Sequence, residues 1–327
     1  MKTPLEKILD VTKDVTSPTL RFGIRANGVP HIGTWMTLAY CFAIGRHLNG
    51  KILIDVLDNA TLDGPQDQFR HSTWQTIDTS KLWAENYEPY LTHLQTLTAV
   101  SFQTQTYTQI QSERTFRKQF LASLIYLDEL KKLSPLQGLL PSKTIIGIRI
   151  HCPNCGLMDK DGASVKHQGQ GIFDCLCPVH GKYRVQITET DSTYLNLTPL
   201  YRNILKETLC CKDAENTVVL KASDWLLAVL LIDAGLDILG ENQKRPVRIF
   251  VPQIFTDQGL KLSKSAIQKN GTPFSGIDTS LLQAPIFAQR FSDYAERFLN
   301  AAETTLMTAD HSFKAYTCGE ILKFLES

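Results

Sequence analysis

Two segments of this chain, Cys152-Pro153-Asn154-Cys155-Gly156 and Cys177-Pro178-Val179-His180-Gly181, are one five-residue pattern written twice. In each, two metal-ligating side chains stand three residues apart, and a glycine follows where the chain must turn sharply. Pairing the two knuckles gives a Cys₃His set, one of the usual tetrahedral donor sets for structural zinc. The second knuckle runs into Tyr183-Arg184-Val185-Gln186-Ile187, a β-compatible stretch that gives the segment the look of a zinc ribbon. The pattern predicts one zinc ion held by Cys152, Cys155, Cys177 and His180. Four protein ligands leave no position for a catalytic water, so its role is structural. Two alternatives stay open: a set of buried thiols, or Cys175 in place of Cys177, against the symmetry of the knuckles.

The eight cysteines in 327 residues are too sparse for a disulfide scaffold, and clustered thiols in a reducing compartment point to metal. Cys41 and Cys210-Cys211 read as ordinary buried residues. A length of 327 residues with 43% hydrophobic side chains suffices for a large core of about two domains. The 34 Lys and Arg nearly balance the 33 Asp and Glu, which excludes a strongly basic nucleic-acid coat and a polyanionic tail but allows a local basic groove. No apolar run approaches the ~20 residues of a membrane span. Residues Met1 to Asp14 lack a signal-peptide core, so the chain reads as cytoplasmic.

Strand and helix patterns alternate along the rest. Thr19 to Arg25 is strand-like, His31 to Leu48 carries apolar residues at helical spacing, and Lys51 to Leu57 is a short apolar run. These three make a βαβ unit. Thr61 to Thr76 reads as loop, Thr79 to Val100 and Ser112 to Leu133 as helices, and Thr144 to Ile150 as a strand entering the cysteine segment. A second alternation follows: helix 199–209, strand 217–221, helix 224–239, strand 247–255, then a loop 257–272 and a helical tail from Ser280. The expected fold is α/β, a Rossmann-like parallel sheet with helices on both faces. Its first half is 1–148 and its second 191–272, with a zinc-ribbon insertion at 149–190 and a helical C-terminal segment at 273–327.

Two loops carry chemistry. Pro30-His31-Ile32-Gly33-Thr34 stands where the first strand gives way to a helix, and the amides of a helix start favour phosphate. Gly28 and Gly33 allow close approach of a ligand, and His31 could donate to a phosphoryl oxygen. A helix cap is the plainer use of His31. Lys261-Leu262-Ser263-Lys264-Ser265 places two lysines among hydroxyls, which suits a leaving pyrophosphate whose charge grows as the α-phosphate is attacked. Alone, it also reads as a solvated turn.

Together, in this order, the two loops resemble the HIGH and KMSKS signatures of class I aminoacyl-tRNA synthetases. The stretch Gly28 to Thr34 is most similar to the first signature of the class I lysyl type. The resemblance covers roughly Leu20 to Ser265. It implies ATP, with Mg²⁺, bound by Gly28, His31, Gly33, Thr34, Asp224, Lys261, Ser263 and Lys264, with His31, Lys261 and Lys264 as catalytic groups. Asp224, in a segment similar to the family's ribose-binding Gly-x-Asp-His/Gln, would take the ribose, although a helix cap fits it equally well. Arg25 and Asn27 would face the amino acid. Asp55 and Asp58 would answer a cationic side chain, or serve as caps and turns. Lysine or a lysine-like amino acid is the substrate implied. The sequence differs from the signatures at Thr34, Ala222 and Trp225. The chain ends at Ser327, soon after the second loop, so no helical anticodon-binding domain is expected there.

Three functions compete. The first is an ATP-dependent ligase that forms an aminoacyl-adenylate and passes the acyl group to a tRNA acceptor end or a small-molecule acceptor. The second is a synthetase paralog without catalysis that binds tRNA or regulates. The third, a nucleotidyltransferase with the first signature, fits the large insertion poorly.

Overall fold

The structure is a computed structural model that describes residues 2–26, 30–133, 145–191, 194–241, 244–255, 259, 291–309, 315–317, 319–321 and 323. Helix α1 (Pro4–Thr12) leads to β1 (Thr19–Ile24), α2 (Ile32–His47) and β2 (Lys51–Val56). A hairpin of β3 (Thr61–Asp63) and β4 (Phe69–Ser72) enters the single turn α3 (Thr73–Thr76), then α4 (Thr79–Asn86), α5 (Glu88–Thr98) and β5 (Phe102–Thr106). Helices α6 (Tyr107–Ser112), α7 (Arg114–Ser123) and α8 (Leu127–Lys131) precede the short β6 (Ile148–Arg149). The cysteine-bearing segment supplies β7 (Leu157–Asp159), β8 (Lys166–His167), β9 (Ile172–Cys177) and β10 (Gly181–Gln186), and β11 (Asn196–Leu197) returns to pair with β6. Then come α9 (Pro199–Cys211), β12 (Thr217–Ala222), α10 (Leu226–Ile238), β13 (Val247–Val251), β14 (Ile254–Phe255), α11 (Phe291–Met307) and β15 (Tyr316–Thr317).

The central sheet has the order β13-β12-β1-β2-β5, and every neighbouring pair is parallel. The chain builds outward from β1 through β2 to β5, then crosses to the other side of β1 for β12 and β13. This is the doubly wound α/β arrangement with helices on both faces. Its topological switch point lies between β1 and β12, where such sheets open a crevice beyond the strand C-termini.

The two faces of the sheet differ in chemistry. Leu20, Phe22 and Ile24 of β1, with Ile52 and Ile54 of β2, pack against α2, α5 and α11 in one apolar core. Helix α2 is buried nearly all round, with Trp35, Leu38 and Phe42 fully inside, so it reads as apolar rather than amphipathic. The opposite face carries charge. Arg21 of β1, Asp55 of β2, Lys221 of β12 and Arg248 of β13 alternate with the apolar set and meet α9 and α10. Lys221 Nζ lies 2.8 Å from Glu207 of α9, and Arg248 Nε lies 2.7 Å from the same carboxylate. Pairing is what makes these buried charges tolerable.

The cysteine segment is a three-stranded antiparallel ribbon, β10-β9-β8, and its inner face joins the second core. Phe173 stacks on Phe120 of α7 with centroids 6.2 Å apart.

Several elements differ from the sequence expectation. The helix expected at 79–100 is two helices, because Pro89 has no amide hydrogen to continue the first and instead opens α5. Residues 61–76, expected as loop, form the β3–β4 hairpin, and β4 pairs with β7 of the cysteine segment. That pairing spans about ninety residues of sequence and leaves no local pattern. Strand β5 was not expected at all. It is the sheet's edge, its Gln103 and Thr104 are exposed, and so it lacks a buried strand's apolar run. The strand expected over 247–255 breaks at Pro252 into β13 and β14. Of the expected strand at 144–150 only β6 forms among the described residues. The helical tail appears as α11, but Tyr316–Thr317 is a strand pairing with β14.

Candidate active site and metal centre

His31 stands at the C-terminal end of β1 as the N-cap of α2, with extended backbone and its Nδ1 accepting the Gly33 amide at 3.1 Å. An imidazole that accepts at Nδ1 carries its proton on Nε2 when neutral. A Cβ on Gly33 would lie 3.0 Å from His31 Cε1 and 3.7 Å from Ile254 Cβ. Glycine is therefore what lets the ring fold back on its own helix. The same approach brings β14, the last described strand before the lysine loop, to the start of α2. The Thr34 amide closes the turn onto His31 O at 2.7 Å.

Asp224 stands at the matching position across the switch point, in the 3₁₀ turn Ser223–Trp225 that follows β12. Lys221 fixes this turn from below, with its ammonium 5.3 Å from the Trp225 ring centroid and 3.0 Å from Asn203 Oδ1. Asn27, Gly28, Lys261, Ser263 and Lys264 lie outside the described residues.

The two acidic candidates are engaged elsewhere. Asp55 is fully buried, accepts Arg21 Nε at 2.9 Å, Arg21 Nη2 at 3.1 Å and Gln105 Nε2 at 2.8 Å, and also pairs with Lys206. Burial alone would raise its pKa, but Lys206 and Arg21 overcome that and hold it at about 2. Asp58 accepts the Thr108 amide at 3.0 Å in the first turn of α6.

Arg25 reaches the carbonyl of Thr61 at 3.0 Å. Near it the fold gathers residues that no sequence pattern singled out. Arg202 of α9 lies with Cζ 5.2 Å from the Tyr107 ring centroid. Arg149 of β6 sits opposite Asn196 in the β6–β11 pair. Burial, then the charges of Arg202 and Arg25, press Arg149 down to about 10 against the opposing pull of Tyr194 and Asp161. Beside them Tyr194 stacks on His151 at 4.0 Å, and Trp74 lies 5.1 Å from the same His151 ring. Arginines inside helix and strand patterns read as surface in a sequence, so only the fold brings them together.

The metal-type residues converge as the knuckle pattern requires. The ligand atoms of Cys152, Cys155, Cys177 and His180 all lie within 4.8 Å of one another. Cys155 Sγ is 3.6 Å from Cys177 Sγ, Cys152 Sγ is 3.6 Å from His180 Nδ1, and Cys177 Sγ is 3.7 Å from His180 Nδ1. Tetrahedral zinc with ordinary bond lengths separates two sulfurs by about 3.8 Å and a sulfur and nitrogen by about 3.6 Å. The donor set fits the ion. Cys175 is buried in the core with Phe173 and Ile187 and is not one of this group.

No helix among the described residues is long and apolar enough to cross a membrane. No protein-family model and no curated protein matches the chain. Among solved structures it is similar to a glutamate-tRNA synthetase from Elizabethkingia anophelis, at 14% identity over 94% of this chain and 70% of that one, TM-score 0.45. It is also similar to a tyrosyl-tRNA synthetase complexed with L-tyrosine from Archaeoglobus fulgidus, at 13% identity over 99% and 94%, TM-score 0.41.

Proposed function

We propose that this chain is an ATP-dependent ligase that activates an amino acid as its adenylate, in the manner of a class I aminoacyl-tRNA synthetase core. The observation that carries the reading is the position of His31 and Gly33 in the turn that opens α2 after β1, and of Asp224 in the turn that follows the neighbouring parallel strand β12. A crevice there, between β1 and β12, is where such sheets take nucleotides.

In this reading the phosphates lie at the start of α2, with His31 Nε2 donating, and Asp224 accepts from the ribose hydroxyls. A carboxylate oxygen of the amino acid attacks the α-phosphorus, and the bond to the bridging oxygen of pyrophosphate breaks. Lys261 and Lys264 meet the charge that grows on the leaving group, so they act on the transition state more than on bound ATP. Mg²⁺ would accompany ATP. Zinc held by Cys152, Cys155, Cys177 and His180 would close the two knuckles and stabilise the ribbon.

The acyl group then passes to a tRNA acceptor end or to a small amine or alcohol. A lysine-type side chain, which the signature resemblance implies, would need a carboxylate, yet Asp55 has Arg21 and Lys206 against it. ATP–pyrophosphate exchange screened across the amino acids tests the reading. Exchange with one amino acid supports it, and silence with all of them overturns it.

A further inference from the structure

Among the described residues, arginine that is buried or half-buried is paired with acid, with two exceptions. Arg21 meets Asp55, Arg117 meets Asp191, Arg245 meets Asp233 and Asp237, and Arg248 meets Glu207 and Asp233. Arg149 and Arg202 break this habit. Among the described residues no carboxylate forms an ion pair with either, although Arg202 is only 9% exposed. The carboxylates that either guanidinium feels are Asp55, already held by Arg21 and Lys206, and Asp161, which is in electrostatic range of Arg149 without a contact.

The segment Asp58–Thr61 links the two with Arg25: Arg25 donates to Thr61 O, Asn196, opposite Arg149, donates to Asn59 O, and the amide of Thr108, next to the Tyr107 ring that Arg202 overlies, donates to Asp58. Around them are buried polar atoms without a hydrogen-bond partner among the described residues: Arg149 Nε, the Tyr107 hydroxyl beneath Arg202, Asn59 Nδ2 and Asn196 Oδ1. Folded proteins rarely leave such groups unmatched, and a concentration of them marks a place built for something else. Two guanidiniums without an ion pair among the described residues, those of Arg149 and Arg202, point to an anion. A guanidinium that is nine-tenths buried is out of reach of a nucleic-acid backbone, whereas a small molecule can enter. The cluster lies beyond the ends of β1 and β2, on the side of β1 away from Asp224 and the nucleotide crevice.

Resting on the adenylate-forming reading above, we propose that the amino acid activated beside the nucleotide carries a second carboxylate, received among Arg25, Arg149 and Arg202. Planar guanidiniums suit a planar carboxylate through paired hydrogen bonds. The α-carboxylate remains directed to ATP while the side-chain carboxylate neutralises the cluster. The substrate class is then an acidic amino acid rather than a cationic one.

Calorimetric titration of the intact, zinc-loaded protein with L-glutamate, L-glutamine, L-aspartate, L-asparagine and L-lysine tests this. Each acid and its amide are nearly isosteric, so their comparison isolates the charge. One acid should bind at least about 100-fold more tightly than its own amide and than lysine, because the amide leaves buried cations unmatched. An amide within about threefold of its acid, a tighter fit for lysine, or no binding of either acid at millimolar concentration would overturn the proposal. Arg149→Gln should weaken the acid by about 10-fold or more while leaving the amide's affinity in place, and equal loss for both would make Arg149 merely structural. Failure of this inference is separable from failure of the ligase reading. Exchange with lysine would sink the inference and keep the ligase, whereas selective acid binding without exchange would do the reverse.

Discussion

Lys206 of α9 pairs with Asp55 of β2 by passing over Gly23 of β1, and its Nζ lies 3.9 Å from where a Cβ on Gly23 would stand. The pair ties the helix to two strands at once, since Asp55 also holds Arg21 at 2.9 Å. A carboxylate placed this way anchors the layer beneath the crevice and is spent on that task. Asp55→Asn should therefore destabilise the fold by about 3–5 kcal/mol, because it leaves two buried cations uncompensated. Chemical denaturation reads this directly, and a loss within about 0.5 kcal/mol would show the triad to be incidental.

The same pair sets a pH dependence. Asp55 sits at about 2 in the folded protein, against an unfolded value of about 3.9. A depressed carboxylate contributes stability that is complete above the unfolded value and is lost as pH falls through the folded one. Stability should thus decline between about pH 4 and 2, and the decline should flatten in Asp55→Asn. An unchanged acid limb in the variant would assign acid unfolding to other groups.

The metal centre gives a clean pair of variants. Cys177→Ser removes a ligand and should abolish stoichiometric zinc and unfold the ribbon, whereas Cys175→Ser should keep the metal because that thiol lies in the core beside Phe173. Plasma emission spectrometry on purified protein decides it. Zinc lost in Cys175→Ser and kept in Cys177→Ser would exchange the two assignments.

Lys264, in the loop of the second signature, is proposed to act on developing charge. Its replacement by alanine should lower the rate of adenylate formation about 10²-fold or more with little change in ATP affinity. Lys261→Ala should be milder. A loss confined to ATP affinity would make Lys264 a binding group only.

The βαβ unit was legible because β1, α2 and β2 are each buried enough to write their burial into the sequence as apolar runs. The knuckles were legible because metal ligation demands fixed residue types at fixed spacing. The edge strand β5 and the β3–β4 hairpin were not, since one is half solvated and the other depends on β7 far along the chain. At the proposed site, His31 was read from its local position where a strand gives way to a helix, and Asp224 from the resemblance of its segment to a ribose-binding one. Arg149 and Arg202 were invisible because their meaning lies in what is missing around them, and only tertiary structure shows that. Asp55 read as a candidate for a cationic substrate, since a sequence does not reveal that Arg21 and Lys206 already face it.

His31 is the place where the account is tested most directly, because its ring both caps α2 and is proposed to donate to ATP. His31→Asn keeps a good N-cap and removes the imidazole donor. The measurement is single-turnover formation of adenylate at saturating ATP and amino acid, beside thermal unfolding and zinc content. The account predicts adenylate from the wild-type protein, a rate about 10²-fold lower in His31→Asn, and unchanged stability and zinc. Adenylate formed by His31→Asn at the wild-type rate, or none formed by the wild-type protein with any amino acid, would contradict it.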